Sequence, residues 1–203
     1  METEKLAATL RRATDCGTLT GLFIDTQKVF HCPETAPAFE NAAKLSRAMR
    51  AKYVEREFFA WPKKTPELNG RSVSGRAHTF TLNGGDDFAI CKPECYETLH
   101  IKPGFSVLTN TDFAASLERI HSPVLIMAGV LASACVKVSL RDIMNKHAGA
   151  HIILAHDATD LKGQAPDDYI RAALDGTKAA AENQSRVQVA SVDTLSSLLH
   201  PHV

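Results

Sequence analysis

Three side chains that could do chemistry together are spread along the 203-residue chain: Asp25 in GLFIDTQKVF, Lys102 in IKPGFSVL and Cys135 in MAGVLASACVKVSLRD. A thiol becomes a nucleophile when a carboxylate can take its proton and a cation can hold the resulting charge. Each residue also has an ordinary reading. Asp25, after the apolar run Leu22-Phe23-Ile24, fits a turn or helix cap equally well. Lys102, before Pro103, fits a solvated loop, and Cys135 fits a small apolar residue packed between helix and sheet. The aspartate weighs against these readings, because at the end of a buried strand it costs desolvation unless a cation pairs with it.

The elements that must position the three follow from periodicity. Apolar runs at residues 19–25, 53–59, 98–101, 124–129, 151–155 and 187–190 alternate with amphipathic stretches at 33–49, 112–120, 133–147, 166–182 and 192–199. Thr111 or Asp112 is the expected cap of the second stretch, Gly149 the stop of the third and Pro166 the first-turn proline of the fourth. Strands alternating with helices predict an α/β fold, a three-layer α/β/α sandwich around a mainly parallel sheet of five or six strands. In such sheets ligands bind at the carboxyl ends of the strands, where Asp25, Lys102 and Cys135 all fall. Cys135 enters the first turn of the 133–147 helix, whose unpaired amides favour a thiolate and can receive an oxyanion.

Regular periodicity fails between Trp61 and Glu97, so the chain reads as one domain, residues 1–203, with an insertion at about 60–97. Within it HTFTL and DFAIC flank Asn83-Gly84-Gly85-Asp86, which predicts a β-hairpin because Asn-Gly supplies the positive φ of a tight turn. Trp61, Phe80, Phe88 and Tyr96 there could line a pocket or meet a second subunit.

Composition excludes several function classes. The 23 basic and 23 acidic side chains cancel, with no basic run longer than Arg11-Arg12 or Lys63-Lys64, which argues against a nucleic-acid partner. No apolar run reaches the roughly 18 residues of a membrane span, and METEKLAATLRRATD lacks the h-region of a secretory signal and reads as a surface helix. The five cysteines, an odd number in a chain of this size, fit free thiols in a cytoplasmic location. Cys91 and Cys95, with His78 and His100 nearby, have neither zinc-site spacing nor a second close pair. No dinucleotide or P-loop glycine motif occurs. No metal or cofactor is expected.

The three motifs, in this order, resemble the isochorismatase-like cysteine hydrolases. These carry D-x-Q after the first strand, a lysine before an F-S pair, and G-[VI]-x-T-x-x-C-V at a strand-to-helix turn. Here they stand as Asp25-Thr26-Gln27, Lys102-Pro103-Gly104-Phe105-Ser106 and Gly129-Val130-Leu131-Ala132-Ser133-Ala134-Cys135-Val136. Ser139, Asp142, Asp157-Ala158 and SVDTLSSLL extend the likeness across roughly residues 18 to 199, the middle excepted. The resemblance implies catalytic roles for Asp25, Lys102 and Cys135, an oxyanion site at the N–H groups of Leu131 and Cys135, and a cis peptide between Val130 and Leu131. It also implies a small-molecule amide substrate, hydrolysis through a thioester, and a homo-oligomer. Phe30, Trp61, Phe105 and Leu131 are the pocket candidates.

Two departures matter. Ala132 stands where the family has threonine, which bears on substrate contacts or turn rigidity more than on the chemistry. EREFFAWPKKTPELNG holds none of the histidines by which nicotinamidases of this superfamily bind a metal, and Cys135 argues against vinyl-ether hydrolysis by the isochorismatases proper, which lack it. The likeness is greatest to members of unassigned substrate. The alternative is a binding or scaffold protein on the same fold with little turnover.

Overall fold

The computed structural model describes residues 2–61, 88–177 and 179–199. Six strands there form one sheet: β1 (Leu19–Ile24), β2 (Glu55–Ala60), β3 (Thr98–Ile101), β4 (Val124–Gly129), β5 (His151–Thr159) and β6 (Val187–Ala190). All pairings are parallel and the order is β3-β2-β1-β4-β5-β6. Strands β1 and β4 are buried at every residue. Their uninterrupted apolar sequences are what a parallel strand covered on both faces requires.

Among the described residues seven α-helices supply the cover: α1 (Glu2–Asp15), α2 (Ala36–Arg50), α3 (Thr111–Glu118), α4 (Lys137–Lys146), α5 (Pro166–Leu174), α6 (Ala180–Ser185) and α7 (Val192–Leu199). Leu6 and Leu10 of α1, Leu45 and Met49 of α2 and Leu195 of α7 pack with Phe23 and Phe58 on one face of the sheet. Phe113 of α3, Leu140 and Ile143 of α4 and Ile170 of α5 pack with Leu22, Phe59 and Leu125 on the other. The strands' period of two sends alternate side chains into the two layers. The expected three-layer sandwich is therefore present, with the expected number of strands at its upper value.

Several element boundaries differ from the sequence expectation, among them the helix expected from residue 133, which begins at Lys137 after a π-helical turn. The helix expected over 166–182 is two helices, because Gly176 at φ 78 breaks the path between α5 and α6. Helix α3 is capped by Asn110, whose side chain accepts the Phe113 N–H at 2.9 Å, rather than by Thr111 or Asp112. Strand β5 continues past residue 155 to Thr159. The β-hairpin expected around Asn83 lies largely outside the described residues. Of its second arm, Phe88 makes an isolated antiparallel bridge with Gln27 and no strand follows.

The sheet order reverses between β1 and β4, which is where an open α/β sheet forms its ligand crevice. Gly129 makes that point possible. At φ 142, a Cβ on it would lie 2.2 Å from the Ile24 carbonyl oxygen, so only glycine lets β4 leave the sheet so close to β1. All five cysteines are unpaired. Among the described residues no helix is long and apolar enough to cross a membrane.

Candidate active site

Three backbone hydrogen bonds carry the pairing one residue past the strand ends. Asp25 N–H donates to Phe59 O at 2.9 Å, Lys102 N–H to Ala60 O at 3.1 Å, and Val130 N–H to Ile24 O at 3.1 Å. Asp25, Lys102 and the turn leading to Cys135 are thus fixed to one rim of the sheet. Lys102 starts from edge strand β3, two strand spacings of about 4.8 Å from β1, and its long side chain spans the gap.

The three side chains meet. Lys102 Nζ lies 3.0 Å from Asp25 Oδ2 and donates to Cys135 Sγ at 3.3 Å and to Gly104 O at 3.5 Å. All three residues are fully buried. The Asp25–Lys102 contact is an ion pair, and the Cys135 thiol, the Lys102 ammonium and the Trp61 backbone are the hydrogen-bonding groups that lower the carboxyl against its burial. A buried carboxylate beside a thiol is equipped to accept its proton.

Burial dominates the electrostatics. It raises the Asp25 carboxyl above its ordinary value, with the Lys102 charge opposing. It also raises the Cys135 thiol, the Asp25 charge raises it further, and Lys102 opposes both. Burial and the Asp25 charge thus oppose the thiolate that the helix terminus was expected to favour. A helix end contributes about 0.3–1 kcal/mol, whereas burying an ion costs several kcal/mol. A raised Asp25 is by the same token a stronger base toward that thiol.

The strand-to-helix turn also differs from expectation. Among the described residues there is no cis peptide, so Val130–Leu131 is trans. Positive φ at Gly129 (142°) and Leu131 (59°) turns the chain instead. Asp25 is left-handed as well, at φ 55. Left-handed backbone costs a non-glycine residue about 1–2 kcal/mol, and its presence on both sides of the crevice is typical of functional sites. Cys135 lies in a π-helical turn, Ala132–Val136, that precedes α4.

The pocket candidates gather around this turn. Phe30, Phe39 and Val130 form a small cluster against which Trp61 and Leu131 pack. Trp61 and Phe105 are 5.3 Å apart, and both also pack against the larger cluster that contains Cys135. Two cavities of about 260 and 390 Å³ lie elsewhere, at the opposite ends of β1, β2 and β3, and neither is lined by Asp25, Lys102 or Cys135. Cys91 is buried and Cys95 exposed, while His100 pairs with Glu57 at 2.7 Å. Burial pushes the Cys91 thiol up to about 12. Among the described residues no group of three or more His, Cys, Asp or Glu is arranged to hold a metal.

Three supporting residues had no assigned role in the sequence. Gln27, third in D-x-Q, donates from Nε2 to Trp61 O at 3.3 Å and accepts the Trp61 N–H at 2.9 Å through Oε1. Ser139 of α4 accepts the Val107 N–H at 3.0 Å, tying the loop after Lys102 to the helix after Cys135. Tyr169 of α5 donates its hydroxyl to Ala132 O at 2.8 Å. The first two lie in or beside the quoted motifs. Nothing in the periodicity of α5 marks Tyr169, since its partner is a backbone carbonyl 37 residues away. Ala132 O also accepts the Lys137 N–H, so Tyr169→Phe leaves no orphaned carbonyl and should cost only about 1 kcal/mol in urea unfolding.

The sequence matches the isochorismatase domain over residues 21–186. No curated protein matches it. Among solved structures, an isochorismatase family protein from Burkholderia thailandensis is similar, at TM-score 0.65 and 17% identity, over 91% of this chain and 96% of that one. A cysteine hydrolase from Pseudomonas syringae pv. phaseolicola 1448A matches at TM-score 0.63 and 20% identity, over 91% and 93%. N-carbamoylsarcosine amidase from Thermoplasma acidophilum matches at TM-score 0.61 and 18% identity, over 87% and 97%.

Proposed function

The chain belongs to the isochorismatase family, and from that premise we propose that it is a cysteine hydrolase that cleaves a small amide-type C–N bond through a thioester. One observation carries this reading: a fully buried carboxylate, ammonium and thiol, with the ammonium 3.0 Å from the carboxylate and 3.3 Å from the sulfur. A core that needed only stability would gain as much from apolar residues of the same volume.

Asp25 accepts the Cys135 proton as Sγ attacks the carbonyl carbon, and Lys102 holds the paired charges. An S–C bond forms while the carbonyl π electrons move to oxygen, where the N–H groups of Leu131 and Cys135 receive them. Asp25 then gives the proton to the leaving nitrogen and the C–N bond breaks. A water next gives a proton to Asp25 as its oxygen attacks the thioester; the C–S bond breaks, Sγ recovers the proton and the acid leaves. The walls offered by Phe30, Trp61, Phe105 and Leu131 suit a small, largely apolar substrate.

Iodoacetamide labelling of Cys135 against pH tests the proton transfer. The wild-type rate should rise first as Asp25 ionises, at a pH above the ordinary aspartate value of 3.8, and again in the alkaline range as the thiol ionises directly. Asp25→Asn should remove the first rise and leave the second. Persistence of the first rise in that variant would mean that another group takes the proton. A screen of small amides in which the wild type turns over none, despite such labelling, would favour a binding protein on the same fold.

A further inference from the structure

Lys102 is the least constrained member of the triad by its own geometry, a flexible four-carbon stem carrying three rotatable N–H groups. In the structure the ammonium has three neighbours that can accept: Asp25 Oδ2 at 3.0 Å, Cys135 Sγ at 3.3 Å and Gly104 O at 3.5 Å. The ring of Trp61 also lies over it, with Nζ 4.7 Å from the ring centroid. An indole face attracts a cation and excludes water from it, and the attraction is strongest where the pair is desolvated. The ring is itself held. Gln27, fully buried, clamps the Trp61 backbone by both its N–H and its C=O, and Phe105 packs beside the indole at 5.3 Å.

We propose that Trp61, fixed by Gln27, is a positioning residue that holds the Lys102 ammonium between Asp25 and Cys135. The proposal rests on the reading of Cys135 as the nucleophile. It explains why a side chain placed to wall the pocket is anchored through its backbone by an amide from the aspartate's own motif: an indole that drifted would let the ammonium leave Asp25 and Cys135 for water. It also gives the glutamine two residues beyond Asp25 a task in the reaction, acting through Trp61 and Lys102 in turn.

The test is the pH profile of iodoacetamide labelling at Cys135, read by mass spectrometry in the full chain, for wild type, Trp61→Leu, Trp61→Phe, Gln27→Met and Asp25→Asn. A displaced ammonium stabilises both ionised partners less. Trp61→Leu should therefore label about tenfold more slowly near neutral pH, with the first rise moved to higher pH by about one unit. Trp61→Phe, which keeps an aromatic face, should recover to within about threefold, and Gln27→Met should behave like Trp61→Leu while folding normally by circular dichroism. With any substrate found, Gln27→Met should lower kcat. A Trp61→Leu profile that superimposes on wild type, or a Trp61→Phe variant as slow as Trp61→Leu, overturns the positioning role alone. Wild-type labelling insensitive to Asp25→Asn overturns the nucleophile reading and the positioning role with it.

Discussion

Cys135→Ala should reduce hydrolysis of any substrate by about 10⁴-fold or more while leaving the chain folded. The nucleophile is the one member of the triad that no neighbour can replace. Asp25 and Lys102 act on a thiol, and once a methyl group stands in its place a water would have to attack without covalent assistance. The structural cost is small, because the sulfur is a single buried heavy atom among apolar residues and its loss should cost about 1 kcal/mol. Steady-state turnover and urea unfolding on the same preparations separate the two effects. Turnover within tenfold of wild type in a folded Cys135→Ala protein would remove the covalent route from consideration.

Lys102→Met carries the largest expected effect on stability. It leaves Asp25 fully buried with no countercharge, which typically costs 3–5 kcal/mol, about half the stability of an ordinary domain. The loss should depend on pH with a definite sign. Asp25 is already raised by burial, and removing the Lys102 charge that opposes the rise moves it further up. Between the unfolded carboxyl value and the folded one, the native state then binds more protons than the unfolded state, so stability falls as pH rises through that window. Lys102→Met should therefore be weakest at neutral and higher pH and come closest to wild type in mild acid. The double variant Asp25→Asn with Lys102→Met, which removes both charges, should recover most of the loss and remain inactive. Denaturant titrations across pH decide this. A Lys102→Met protein equally destabilised at all pH values would mean that the lysine contributes packing rather than charge.

The layers of the fold were legible because they follow from local periodicity. The apolar runs at 19–25 and 124–129 had to be buried strands, and the amphipathic stretches between strands had to cover the sheet. Boundaries set by one residue's hydrogen bond or φ angle were less legible. Asn110 takes the cap of α3 although Thr111 and Asp112 are equally good cap residues, since the choice depends on which oxygen reaches the Phe113 N–H. The break at Gly176 carried a glycine signal inside a pattern otherwise helical on both sides.

The site divides in the same way. Residue types at three strand ends identified Asp25, Lys102 and Cys135, and the topology of a parallel sheet brings such ends to one rim. The state of the thiol could not be read along the chain. A helix terminus is a local feature that favours a thiolate, whereas burial is a sum over every element packed around Cys135 and favours the thiol. The trans, left-handed turn at Leu131 and the Gln27 clamp on Trp61 belong to the same category.

By itself, then, the sequence determined which functional groups are present and on which strand ends they stand, because covalent order and side-chain period are local properties. The tertiary structure alone decided that burial raises both the thiol and the aspartate, and that an indole lies over the ammonium. Each of these depends on desolvation and on contacts between residues far apart in the chain, and neither quantity exists until the layers have packed.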